Sequence, residues 1–176
     1  FPGGSVKVES VDAGSRVFRF KPAAHKNRGW DCWWYFKVSG LEPGVEWTFD
    51  LGGTGFAAPR QAAFSTNNRD WKQTAPGRRE GGRIRYTLKA PGEPLWPAWG
   101  PPFGLADANA LVKQVVGAKV GADRFELCKS RDGHAVPALR WEPLLAGKRP
   151  AIWIQARQHA WESGGSWVCS GLVEWL

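Results

Sequence analysis

Pro91-Gly-Glu-Pro-Leu-Trp-Pro-Ala-Trp-Gly-Pro-Pro102 divides the chain. Five prolines and two glycines share these twelve positions. Proline removes a backbone donor and glycine costs chain entropy, so no regular element is expected here. The stretch predicts a boundary, with one domain over residues 1–100 and a second beginning at 101 and running to 176.

Upstream, short runs alternate in period two between turn signals. Arg16-Val-Phe-Arg-Phe20, Val45-Glu-Trp-Thr-Phe49 and Arg83-Ile-Arg-Tyr-Thr-Leu88 each place apolar residues on one side, with the arginines of the last run on the wet face. Trp33-Trp-Tyr-Phe-Lys-Val38 is continuously aromatic and reads as a central strand covered on both faces. Glu42-Pro-Gly44, Gly52-Gly53, Pro76-Gly77 and Gly81-Gly82 mark the turns between runs. Four or more strands at such spacing predict an antiparallel β-sandwich.

Downstream the pattern changes. Asp107-Ala-Asn-Ala-Leu-Val-Lys-Gln-Val-Val116 reads as a helix capped by Asp107 and stopped by Gly117. Phe125-Glu-Leu-Cys-Lys129 and Ala135-Val-Pro-Ala-Leu-Arg-Trp141 form a hairpin whose two-residue turn is Asp132-Gly133. Ala151-Ile-Trp-Ile-Gln155 predicts a buried strand, and a loop over 157–165 leads to an apolar helix from Ser166. That order is how a mixed α/β layer opens. The last helix has neither cap nor exit before Leu176, as though the layer continued.

Composition narrows the function classes. With 176 residues and 43% hydrophobic residues the chain can bury a core, and 13% aromatics argue against disorder. No apolar run approaches the roughly 20 residues of a membrane-spanning helix, and no leader pattern opens the chain. Cys32, Cys128 and Cys169 are odd in number and match no zinc cluster, so reduced, mostly buried thiols and a cytoplasmic setting are expected. The net charge of +8 is scattered through pairs such as Arg78-Arg79 and Lys148-Arg149. No nucleic-acid motif accompanies it, so a solvated basic surface is expected.

One spacing carries chemistry: His159-Ala-Trp-Glu162, between the apolar run and the last helix. An imidazole and a carboxylate three positions apart can turn towards one point, two-thirds of the protein ligand set of a catalytic zinc. Zinc held that way brings the pKa of its water near 7. The bare spacing arises by chance in about one such sequence in seven, so context must give it weight.

That context is the stretch from Arg149 to Leu176. It resembles the first metal-binding segment of the zinc metallocarboxypeptidases, and more narrowly that of the cytosolic carboxypeptidase branch. The branch reads Arg-Gln-His-Pro-Gly-Glu, a few small residues, then Ser-Trp opening a helix; Arg157-Gln158-His159, Glu162 and Ser166-Trp167 match it. Upstream, Trp33-Trp34-Tyr35-Phe36, Trp71, Pro101-Pro102-Phe103 and Cys128-Lys-Ser with Asp132-Gly133 resemble further segments of the branch, in order. Ala160-Trp161 stands where the family has Pro-Gly.

The resemblance implies a β-sandwich over 1–100 followed by the opening of an α/β zinc carboxypeptidase domain. It implies His159 and Glu162 as two zinc ligands, and hydrolysis of C-terminal peptide bonds in peptides or proteins, acidic tails included. Basic charge agrees with acidic peptides. The family's third ligand, a downstream His, and its general base have no match here, so this chain alone is expected to be inactive. His25 and His134 read as loop residues.

A different reading is a non-catalytic binding module presenting Trp30, Trp33, Trp34, Trp47 and Trp71 to a sugar or peptide; core packing accounts for most of these rings. Zinc acylases also use His-x-x-Glu, but lack a β domain ahead of it. Gly52-Gly-Thr-Gly55 is too short for a phosphate loop and reads as a turn.

Overall fold

A computed structural model describes residues 1–24, 29–53, 55–91, 94–141 and 150–175. It is mostly sheet, with two helices, in two compact units, Phe1–Pro102 and Phe103–Leu176. His25 and Lys148-Arg149 lie outside the described residues.

The first unit opens with β1 (Lys7–Asp12), β2 (Val17–Lys21), β3 (Glu46–Leu51) and β4 (Ala63–Ser65). It continues with β5 (Lys72–Gln73), β6 (Arg78–Glu80), β7 (Arg83–Lys89) and β8 (Trp96–Ala98). One sheet has the order β1-β2-β3-β7-β6 and a smaller one β5-β4-β8. Pairing is antiparallel except between β2 and β3, which run parallel. The length of chain between the two strands permits the exception. Parallel neighbours need a long crossover, and residues 22–45, with the aromatic run 33–38 inside them, supply it.

Period two sets the core. Phe18 and Phe20 of β2, Trp47, Phe49 and Leu51 of β3, and Ile84 and Tyr86 of β7 are buried in one cluster with Trp34, Phe36, Leu41 and Leu95. Fully burying a ring of this size is worth about 1.5–3 kcal/mol. Trp34, at 0% exposure, also donates its indole N–H to the Ala57 carbonyl at 2.8 Å. Tyr86 donates its hydroxyl to Pro59 at 2.6 Å, and burial pushes its pKa well above the usual value.

Two local expectations change in this unit. Of the run 33–38 only Trp34, Tyr35 and Phe36 are buried while Lys37 is exposed, and the run forms bridges, Ser5 to Tyr35, Tyr35 to Ala98 and Val38 to Leu95, instead of a continuous strand. The proline-rich stretch is not without regular structure, since β8 contains Pro97. The Pro97 carbonyl accepts from the Phe36 N–H at 3.2 Å; proline cannot return the bond, and the ladder breaks into bridges. At Gly81-Gly82, φ values of 56° and 74° close the β6–β7 hairpin as the glycines foretold.

The wet face of the larger sheet is built around one buried acid. Asp50, 1% exposed, lies opposite Arg19 and Arg85 in the registers of β2 and β7. Arg83 Nε donates to its Oδ1 at 2.7 Å, and Arg83 Nη2 to its backbone carbonyl at 2.8 Å. Arg83 also meets Glu9, which pairs with Lys21 at 2.8 Å. Burial opposes the Arg83 charge, yet the bonds to Asp50 and Glu9 outweigh it and raise the pKa.

The second unit holds α1 (Leu105–Gly117), the hairpin β9 (Ala122–Lys129) and β10 (Ala135–Trp141), and α2 (Ser163–Trp175). Helix α1 packs on the hairpin and on α2, burying Val112 and Val115. Asp107 is not the cap. Gly104 holds that position, and Asp107 sits one turn in, accepting from the Gly104 N–H at 2.6 Å. The hairpin forms around three residues, not two. Gly133 donates to the Ser130 carbonyl and takes a φ of 80°, a turn closed by a left-handed glycine.

The expected strand at 151–155 does not form. Ile152, Trp153 and Ile154 are 86%, 66% and 51% exposed, and no ladder among the described residues includes them. Apolar character alone cannot make a strand without a neighbour to bond. Helix α2 begins at Ser163 and inverts its own hydrophobicity. Ser163, Ser166 and Ser170 are buried while Val168 and Trp175 face out. Of the three free cysteines only Cys32 is buried, which raises its pKa; Cys128 is exposed and Cys169 half-buried.

Candidate metal site

The turn 159–162 lies immediately before α2. Its N–H of Glu162 donates to the His159 carbonyl at 3.1 Å, closing four residues, and Gly165 donates to the Glu162 carbonyl to begin the helix. This closure brings the two candidate ligands together. His159 Nδ1 lies 2.9 Å from Glu162 Oε1, and the His159 backbone N–H donates to Glu162 Oε2 at 3.1 Å. Both side chains are about half exposed, at 55% and 45%. The hydrogen bonds from His159, side chain first and backbone second, hold the Glu162 carboxyl below its usual pKa.

Donor chemistry fits part of a zinc site. Bonds of about 2.0–2.2 Å at tetrahedral angles separate neighbouring donors by about 3.3 Å, so the pair needs to open by only a few tenths of an ångström. Nitrogen and carboxylate oxygen are both zinc donors. No group of three or more His, Cys, Asp or Glu that could hold a metal occurs among the described residues. His134 stays at the hairpin tip, its N–H donating to Ser130 Oγ.

Two residues near the pair were not assigned roles by spacing. Trp161, where the resemblance has Gly, stacks on the His159 ring at 5.2 Å and 11°, restricting the imidazole. Arg157 has a φ of 64°, rare for a residue with a side chain. Its Nε and Nη2 donate to the Ala160 carbonyl at 3.2 and 2.6 Å, and its Nη1 to the Phe103 carbonyl. Burial lowers the guanidinium pKa. An arginine beside a turn is a weak signal, because its partners are backbone carbonyls that any sequence provides.

Most aromatic rings have structural employment. Trp34 and Trp47 are buried, and Trp33 and Trp71 pack half-buried around Tyr35. Of the five tryptophans Trp30, Trp33, Trp34, Trp47 and Trp71, Trp30 is the exposed one, 61% open beside Phe56 at 63%, with ring centres 5.1 Å apart.

The chain has the fold of the corresponding part of metallo-carboxypeptidases. A metallo-carboxypeptidase from Burkholderia cenocepacia matches 99% of this chain and 47% of its own at a TM-score of 0.85 and 21% identity. A Pseudomonas aeruginosa metallo-carboxypeptidase, solved with (2-guanidinoethylmercapto)succinic acid, matches the same shares at 0.83 and 22%. An uncharacterized protein of Zymomonas mobilis is 28% identical over 182 aligned positions, covering 100% of this chain and 46% of that protein. The chain thus spans less than half the length of these relatives. No protein-family model matches it. No helix among the described residues is long and apolar enough to cross a membrane.

Proposed function

We propose that the chain is part of a zinc-dependent metallocarboxypeptidase that hydrolyses C-terminal peptide bonds, of the cytosolic branch and acting in the cytoplasm. The first unit is its N-terminal β-sandwich domain and the second the opening of its catalytic domain. His159 and Glu162 supply two zinc ligands, and the approach of Nδ1 to Oε1 at 2.9 Å carries the reading. The carboxypeptidase fold around that pair supports it. Bound zinc would polarise the scissile carbonyl and activate water. The chain's own part is to hold an imidazole and an ionised carboxylate on one exposed turn. A third ligand and a general base come from outside the described residues, so the chain by itself is inactive.

Substrates are peptide or protein C-termini, acidic ones favoured by the net charge of +8. Nucleic acid is not a partner on this reading. A zinc titration of the isotope-labelled chain, followed at the side chains of His159 and Glu162, tests the site. Both signals are expected to move together with zinc, and the Glu162 signal to stay still in His159→Ala. Zinc binding that leaves them unmoved overturns the assignment. On acidic peptides, activity of the parent enzyme should fall as salt rises; an unchanged rate removes the charge argument.

One observation favours a second reading, a non-catalytic aromatic binding module: the open Trp30–Phe56 pair. Metal-independent retention on a glycan or peptide array, lost in Trp30→Ala, would select it.

A further inference from the structure

The turn 159–162 is exposed, and contacts within it join its two ends: the Glu162 N–H on the His159 carbonyl, the Glu162 carboxylate on His159, and the Trp161 ring on the imidazole. Between those ends, the Ala160 carbonyl is held by the Arg157 guanidinium. Ala160 supplies no ring to preset its φ. Arg157 adds a tie from outside the turn.

Arg157 reaches two carbonyls that are far apart in sequence. Nε and Nη2 converge on Ala160, inside the turn, and Nη1 takes Phe103, at the entrance to α1. Phe103 is itself fixed, 9% exposed and packed edge-on against Trp167 of α2 at 5.0 Å. The guanidinium therefore ties the loop carrying His159 to the packed base of both helices. A planar fork with five donors can do this, and an ammonium cannot. The left-handed backbone at Arg157, with a φ of 64°, is the local cost of aiming the side chain back along its own loop.

We propose that Arg157 is a positioning residue for metal binding, holding the turn so that His159 and Glu162 present their donors together. The inference rests on the zinc reading for its purpose, though not for its geometry. Arg157 touches neither substrate nor metal in this scheme; it acts through Ala160.

Two readouts on the 176-residue chain separate the claims. The first is metal-free: backbone amide exchange at His159, whose N–H is held by Glu162 Oε2. In Arg157→Ala and Arg157→Lys its protection should fall about tenfold or more while that of α1 stays at the wild-type level. The second uses cobalt(II) alone as the probe, read by its broadening of the His159 and Glu162 side-chain signals. Its apparent affinity should fall about 10–100-fold in both variants, the range for changes just outside a metal's ligands. If Arg157→Ala does not fold, Arg157→Lys decides, since it keeps charge and bulk but cannot fork.

Wild-type protection and cobalt affinity in the variants overturn the proposal. So does an equal loss of protection in α1 and in the turn, which would make Arg157 a general tie of the unit. If cobalt leaves the wild-type His159 and Glu162 signals unmoved while their ordering still depends on Arg157, the zinc reading fails and the positioning of the pair stands.

Discussion

Arg83 holds the buried Asp50 at two points, donating Nε–H to the carboxylate Oδ1 at 2.7 Å and Nη2–H to the Asp50 backbone carbonyl at 2.8 Å, on the wet face of the larger sheet. The face that alternation marks as polar is thus held by a charge that solvent barely reaches. Arg19 and Arg85 flank the same acid and are more open, so they screen it at lower cost.

Removing the Asp50 carboxylate leaves Arg83 its bonds to Glu9 and to the main-chain carbonyl at position 50, and takes the shared acid from Arg19, Arg83 and Arg85. Asp50→Ala should cost about 1.5–3 kcal/mol, the range for losing hydrogen bonds to a charged group whose partners still reach solvent. Urea unfolding of the variant against wild type measures it, and a loss below about 1 kcal/mol would place the pair among ordinary surface bridges.

Glu9 predicts the acid limb of the stability curve. Its hydrogen bond from Lys21, helped by Arg83, lowers its pKa in the folded chain below the ordinary value of 4.5. A carboxyl whose folded pKa is depressed lends stability that is fully present above its unfolded pKa and lost as pH falls through the folded one. Urea midpoints should therefore hold from pH 7 to about 5 and decline below about 4.5 as the carboxyl protonates. Glu9→Gln should make that decline shallower, and an unaltered slope would remove Glu9 from the account.

Gly77 is a glycine for space. A β-carbon there would come within 2.7 Å of Ile84 Cγ1 and 2.8 Å of Tyr86 Cε1, both in the core. Gly77→Ala should destabilise the first unit by about 1–3 kcal/mol through overpacking. Thermal unfolding reads the loss; a neutral result would mean that β7 shifts freely.

At the candidate site, Trp161→Ala removes the ring stacked on His159 without touching a donor. Zinc affinity of the chain should fall by a smaller factor than in His159→Ala, which deletes a ligand outright. Isothermal titration of the two variants checks the order, and equal losses would show that the stacked ring is as necessary as the ligand.

Local periodicity made much of the first unit legible. The runs at 16–20, 45–49 and 83–88 became β2, β3 and β7 because alternation of side chains is a property of each strand by itself. Glycine pairs and Asp132-Gly133 located turns for the same reason, since a left-handed φ is a one-residue requirement. The site was legible only as a spacing. His159 and Glu162 were marked by three positions of separation, whereas Arg157 binds backbone carbonyls, which carry no residue code.

What the sequence alone determined, then, is where strands alternate, where the chain turns, and that an imidazole and a carboxylate share one turn. Each of these depends on neighbours a few residues apart. Tertiary structure alone decided that β2 lies parallel to β3, that Asp50 is buried among arginines, and that 151–155 lies open instead of pairing. Those outcomes depend on which distant backbone is available to bond and on which side chains exclude water, and neither is written in a local pattern.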